Sequence, residues 1–277
     1  MFIRKTSMKV LSSGCSFIWG NELSDDAPGK FSLKTWPALW AKENNYQYSC
    51  CALPGASNGT ITRQVIDHIE NIDQPDIVIV QWTFPGRYEF RYQKNFDPRW
   101  GNFYAFTPWS IVKTWEEIYN DPKKYPFNRD AENSKAFVES IKTQIEILKD
   151  TCIPDLADIW YKHISCTDSD RYYFFKEISY LKSYLESKKI KYVFTGADSN
   201  LIRTKKETLD KSVKTLMNIV ESCPWVWFNY HDIPLGFMDW ARTSRQKIGS
   251  THPLDSAHEN ALKLIRNSIN DILKKDS

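Results

Sequence analysis

Apolar and polar positions change period several times along the chain. Lys9–Ser12 is a short strand candidate that ends in a turn at Gly14. Thr35-Trp36-Pro37 opens a helix, since proline suits the first helical turn, and Leu39, Trp40 and Ala41 follow. Tyr46–Leu53 reads as a second strand closed by Pro54-Gly55. Ser57-Asn58 offers an N-cap, and Ile61, Val65, Ile69 and Ile72 then recur at helical spacing. Asp76–Trp82 is a continuous apolar run, the pattern of a strand buried on both faces.

The regularity breaks from residue 84 to residue 170. This stretch carries Trp100, Trp109, Trp115 and Trp160 among many Tyr and Phe residues, with helical patterns over Ser134–Lys149 and Pro154–His163. It reads as an insertion, 84–170, within a single domain, 1–277. Beyond it come a helix over Asp170–Lys188, a strand over Ile190–Thr195, a helix over Lys205–Glu221, a strand over Trp225–Asn229 and a closing helix over Ala257–Leu273. Five strands alternating with helices predict a parallel sheet covered on both faces. In such sheets ligands bind at the C-terminal strand edges, so the residues after each strand carry the functional information.

Composition narrows the class. The 277 residues include 11 Trp, 14 Tyr and 15 Phe, and 37 Lys+Arg stand against 34 Asp+Glu. Aromatics at this level and balanced charge exclude a disordered chain. The isoelectric point of about 8.4 is short of the basic footprint of a nucleic-acid-binding domain. No run approaches a membrane span, and Met1-Phe2-Ile3-Arg4-Lys5 lacks the apolar stretch of a signal peptide, so a cytoplasmic protein is expected. The cysteines at 15, 50, 51, 152, 166 and 223 form no C-x-x-C pair, so neither a zinc site nor a redox motif is expected.

Three segments at strand ends could carry chemistry. Gly14-Cys15-Ser16 follows the first strand, where a turn into a helix exposes a hydroxyl and offers a backbone N–H to an oxyanion. It is not a P-loop, having no Gly-Lys-Ser/Thr, nor a G-x-S-x-G elbow, since Phe17-Ile18 stands where x-Gly is required. Leu53-Pro54-Gly55-Ala56-Ser57-Asn58 follows the second strand, where glycine lets backbone approach a ligand. Thr251-His252-Pro253 precedes the last helix, and a histidine there is a candidate general base. Each alone also fits a plain structural reading: a turn, a loop whose glycines serve the turn, a hydrogen-bonded histidine.

Together, Gly-x-Ser after strand one, Gly-x-x-Asn after strand two and a terminal His-Pro resemble the SGNH, or GDSL-type, hydrolase family over roughly 9–83 and 225–273. The resemblance implies a flavodoxin-like three-layer α/β/α sandwich, here with a parallel five-stranded sheet and a helical, aromatic-rich insertion. It implies hydrolysis of an acyl or acetyl ester on a carbohydrate or lipid through an acyl-enzyme. By position, Ser16 matches the nucleophile, Gly55 an oxyanion donor, with Asn58 beside it, and His252 the base, while His258 matches a non-catalytic histidine.

Three positions depart from the family pattern. Cys15 replaces the aspartate before the nucleophile. The third-block Gly-x-Asn is missing, leaving Thr83 as the nearest side-chain oxyanion donor and Arg87 as added positive charge. Gly249 occupies the place of the aspartate three residues before the base. The acid is then Asp239 folding back, or a backbone carbonyl serving a dyad, or the pair is instead Asp255 with His258. These losses also fit a catalytically weak or inactive binding or structural module. The Lys- and Asn-rich, Gly-poor style resembles proteins of AT-rich bacterial or phage genomes, which leaves room for a virion-associated component. The aromatic insertion fits either a substrate lid or a protein-partner surface.

Overall fold

The computed structural model describes residues 7–92, 101–107, 151–199 and 204–275 and the single positions 99, 110, 146, 148 and 149. Four parallel strands form the central sheet: β1 (Lys9–Ser13), β2 (Gln47–Cys50), β3 (Ile77–Trp82) and β6 (Lys191–Gly196), in the order β2-β1-β3-β6. This is the strand order of flavodoxin-like sheets, in which the first strand lies between the second and third. β3 is buried along its whole length, as its unbroken apolar run predicts.

Helices α2 (Trp36–Glu43) and α8 (Asp255–Lys275) pack together, as do α3 (Asn58–Asn71) and α5 (Thr167–Ser187). The two pairs make the outer layers of an α/β/α sandwich. The apolar stripe of α8 is Ala261, Leu262, Ile265 and Ile269, all buried; α3 buries Ile61, Val65 and Ile69. Ser57 caps α3 by accepting from the Thr60 N–H at 3.0 Å, while Thr60 Oγ1 accepts from the Ser57 N–H, which fixes where the helix starts. Helix α6 (Lys211–Glu221) packs on α5, with Asp210 as its N-cap. Residues expected to continue it upstream form only a 3₁₀ turn, Lys206–Thr208.

Among the described residues the sheet has four strands, and the expected fifth does not join it as a strand. At Trp225 the chain pairs with β6 through one parallel bridge, Phe194↔Trp225, then leaves the sheet. The next residues form β7 (Phe228–Tyr230), which hairpins onto β8 (Ile233–Leu235). His231 and Asp232, both at positive φ, make the two-residue turn that this hairpin twist requires. A short helix, α7 (Phe237–Thr243), follows.

The expected insertion is not purely helical. Strands β4 (Tyr88–Arg91) and β5 (Phe103–Phe106) pair antiparallel, and α4 (Ile153–Ile159) runs into a π turn at Trp160–Ile164. Tyr88, Phe106 and Ala157 form a second small core, joined by Phe90, Tyr104, Trp160 and Tyr161. Several of the described aromatics of this segment therefore pack on one another, and Tyr161 donates to the Gly86 carbonyl at 2.7 Å. The helix expected over Ser134–Lys149 lies, apart from Glu146, Leu148 and Lys149, outside the described residues, as do Trp100, Trp109 and Trp115. Among the described residues no helix is long and apolar enough to cross a membrane.

Candidate active site

Ser16 begins α1 (Ser16–Trp19), the single helical turn that follows β1. Gly14 makes that turn possible by its lack of bulk: a Cβ there would lie 2.7 Å from Ile18 Cγ1 and 3.0 Å from the Gln81 carbonyl oxygen. The turn thus seats directly on the end of β3. Cys15 points inward and is buried, whereas Ser16 stays partly exposed.

His252 reaches Ser16 from the far end of the sequence. The segment before α8 is a tight loop, closed by a bridge between Ile248 and Pro253 and by the Gly249 N–H donating to the His252 carbonyl at 2.8 Å. His252 Nε2 lies 2.8 Å from Ser16 Oγ. The Phe17 ring meets the imidazole edge-to-face, with centroids 5.4 Å apart, and helps fix its plane.

The other imidazole nitrogen, Nδ1, lies 2.7 Å from Glu22 Oε1. None of the three sequence-level alternatives for the acid supplies this contact. Asp239, in the first turn of α7, accepts instead from the Ser199 N–H at 2.8 Å and ties down the loop after β6. Asp255 accepts from Ser24 and Lys34. His258 is buried and its Nδ1 accepts from the Trp36 N–H at 3.1 Å. Burial lowers the His258 pKa to about 3, so the ring stays neutral as the acceptor for that amide. Neither Asp239 nor the Asp255–His258 pair is part of the Ser16–His252 chain.

Glu22 sits in the turn after α1, at φ 66°, a left-handed conformation that a non-glycine residue adopts at some cost. The Ser250 N–H and Oγ donate to its carboxylate at 2.6 Å each, and Thr251 Oγ1 donates at 3.0 Å. Burial alone would push its pKa up, but the bonds from His252, Ser250 and Thr251 outweigh that and hold it at about 2. The carboxylate is therefore charged near neutral pH and can hold His252 with its Nδ1 protonated.

Gly249 explains why this geometry fits. A Cβ at Gly249 would lie only 2.1 Å from Glu22 Oε2. Its φ is not in the left-handed region, so glycine is needed here for space and not for conformation. The carboxylate of Glu22 fills the volume that a side chain at position 249 would occupy. The sequence signal for this was indirect: a vacant acid position beside His252 says that an acid comes from elsewhere, without saying where.

The remaining predicted residues follow strands β2 and β3. Gly55, at φ 82°, lies in the Leu53–Ala56 turn, and its N–H donates to none of the described residues. The Asn58 side chain is committed to backbone: its Oδ1 accepts from the Thr83 N–H at 3.0 Å, and its Nδ2 donates to the Phe84 carbonyl at 3.2 Å. Asn58 is thus a clamp between the loops after β2 and β3, not a free donor. The Thr83 hydroxyl is buried with no partner among the described residues and does not open to solvent. Arg87 donates to the Ala56 carbonyl at 3.4 Å and lies over the Phe84 ring. No group of metal-ligating side chains occurs among the described residues.

No protein-family model matches the chain, and no curated protein matches it. Solved structures with a related chain trace include esterase EstA from Pseudoalteromonas sp., at 10% identity and a TM-score of 0.45, covering 97% of this chain and 100% of that one. Phospholipase A1 from Streptomyces albidoflavus gives 10% identity and 0.40, covering 95% and 99%. An alpha/beta hydrolase enzyme from the metagenome of Lake Arreo gives 11% and 0.42, covering 96% and 94%. At this level of likeness, what can be said of the site rests on its own geometry.

Proposed function

We propose that this protein is a serine hydrolase of SGNH type that cleaves an ester through an acyl-enzyme. The observation that carries the proposal is the hydrogen-bonded chain Ser16 Oγ–His252–Glu22 at the C-terminal edge of a parallel sheet. Nucleophile, base and orienting acid in this order are the arrangement that activates a serine hydroxyl.

In the first step Ser16 Oγ forms a bond to the ester carbonyl carbon as its proton passes to His252 Nε2. Glu22 balances the imidazolium charge. The N–H groups of Ser16 and Gly55 are the proposed oxyanion donors. As the carbonyl re-forms, the C–O bond to the alcohol breaks and His252 returns the proton to the leaving oxygen. Water then attacks the acyl-Ser16 carbonyl, gives a proton to His252 and releases the acid, and Ser16 recovers its proton. No cofactor enters this scheme.

A fluorophosphonate probe and short p-nitrophenyl esters test it. Wild-type protein should be labelled and should turn over the esters, and Ser16→Ala and His252→Ala should lose both. Labelling that survives Ser16→Ala would remove the nucleophile assignment. Absence of labelling in folded wild-type protein would favour a binding module, a reading to which the closed-off Thr83 hydroxyl lends some support.

A further inference from the structure

We infer that the ester this site accepts carries an anionic group, a carboxylate or a phosphate, which Arg87 holds. The inference rests on the hydrolase reading and concerns the substrate class of the same site. Because β1 lies between β2 and β3, any contact between the loop after β2 and the loop after β3 spans the end of β1, where Ser16 sits. Arg87 makes such a contact with Ala56, next to the Gly55 turn. On the other side, ring contacts run from Arg87 to Phe84, from Phe84 to Phe17 and from Phe17 to His252. These contacts join the guanidinium to the loops that flank Ser16 and, through Phe84 and Phe17, to His252.

Its environment is unlike that of neighbouring cations. A cavity of about 650 Å³, lined in part by Arg87, Asn58, Tyr88, Phe90, Trp160 and Tyr173, opens beside it. Two further cations line that cavity, and both are satisfied. Arg63 donates to both Glu89 oxygens at 3.1 and 2.7 Å, and Lys176 pairs with Glu177 at 3.5 Å. Arg87 has no carboxylate partner among the described residues. Its contacts are one long bond to a carbonyl and one ring face. A guanidinium has five N–H donors in a planar fork suited to a carboxylate or phosphate. The donors that Ala56 and Phe84 leave over can take an anion without displacing a protein carboxylate. The aromatic walls beyond it would take the apolar body attached to that anion.

Matched esters test this. Values of kcat/KM are compared for p-nitrophenyl butyrate, for mono-p-nitrophenyl glutarate and for a p-nitrophenyl ester of equal length ending in a phosphonate. Wild-type protein should favour one or both anionic esters over the neutral one by about 10- to 100-fold, the range of a charge-assisted hydrogen bond. The carboxylate and phosphonate arms tell which anion is meant. Arg87→Gln should erase the preference, mainly through KM, and Arg87→Lys should keep part of it. Hydrolysis of the neutral ester with no anionic preference, or a preference that survives Arg87→Gln, overturns the inference and leaves the hydrolase reading intact. Glutarate and phenylphosphonate binding, followed by calorimetry, separates the other case. Binding lost in Arg87→Gln, in a protein that cleaves none of the esters, supports the anion site while sinking the hydrolase reading.

Discussion

Replacing Glu22 by Gln should slow the chemistry by two to four orders of magnitude, and the structure shows why either amide orientation is bad. Glu22 Oε1 faces His252 Nδ1, Ser250 Oγ and Thr251 Oγ1, while Oε2 faces the Ser250 N–H. If the new amide nitrogen takes the Oε2 place, a donor meets the Ser250 N–H, and the His252 imidazolium loses its counter-charge. If it takes the Oε1 place, it donates to Nδ1, forces the proton onto Nε2 and leaves Ser16 without a base. Loss of a triad aspartate costs about 10⁴ in kcat in a tested protease, which sets the upper end. Thr251 Oγ1, 2.8 Å from Nδ1, can partly hold the ring and sets the lower end nearer 10². The assay is the pre-steady-state acylation rate with p-nitrophenyl acetate, with circular dichroism to confirm folding. A Glu22→Gln rate within about fivefold of wild type would refute the reasoning. Gly249 supplies a second arm. Gly249→Ala places a methyl 2.1 Å from Glu22 Oε2 and should displace the carboxylate, lowering the rate although no charge is lost. The double variant Glu22→Gly, Gly249→Asp should recover at least tenfold over Glu22→Gly alone, because it returns an acid to the same volume from the other side.

Two further outcomes follow from residues around the site. Asn58→Ala leaves the buried Thr83 N–H without its acceptor, so it should cost about 1–3 kcal/mol in urea unfolding and also lower kcat, since the loops beside Ser16 lose their clamp; unchanged unfolding would remove the clamp. His258, whose pKa falls from 6.5 to about 3 on burial, binds a proton in the unfolded chain before it does in the folded one. Stability should therefore fall as pH drops below 6.5, by about 2 kcal/mol at pH 5, and His258→Gln, which keeps an acceptor for Trp36, should flatten that slope. An equal slope in the variant would assign the loss to other groups.

Periodicity located the central strands because burial on both faces leaves an unmistakable apolar run, as in Ile77–Trp82. It overestimated the sheet at Trp225–Asn229 for a physical reason. Trp225 makes one bridge to the sheet, but Phe228 and Asn229 pair instead in a hairpin turned by His231-Asp232, and pattern alone does not distinguish the two partners. The hairpin of Tyr88–Arg91 with Phe103–Phe106 was lost in the same way, inside a stretch where aromatics obscure any period.

The site was half legible, and the division follows sequence distance. Ser16 and His252 each stand in a local context, a turn after a strand and a His-Pro loop before a helix, and local context is what a sequence displays. The proposed acid has none: Glu22 is marked by no motif, and its proposed role depends on a contact spanning 230 residues. Yet the two halves of that contact are coupled. The residue that reaches in, Glu22, holds a left-handed backbone, and the residue that makes room, Gly249, carries no side chain although its φ is outside the left-handed region. The two features meet at the Glu22 carboxylate. The carboxylate of one fills the space beside the other and meets His252 Nδ1, and this complementarity supports the proposed role of Glu22 in orienting the imidazole.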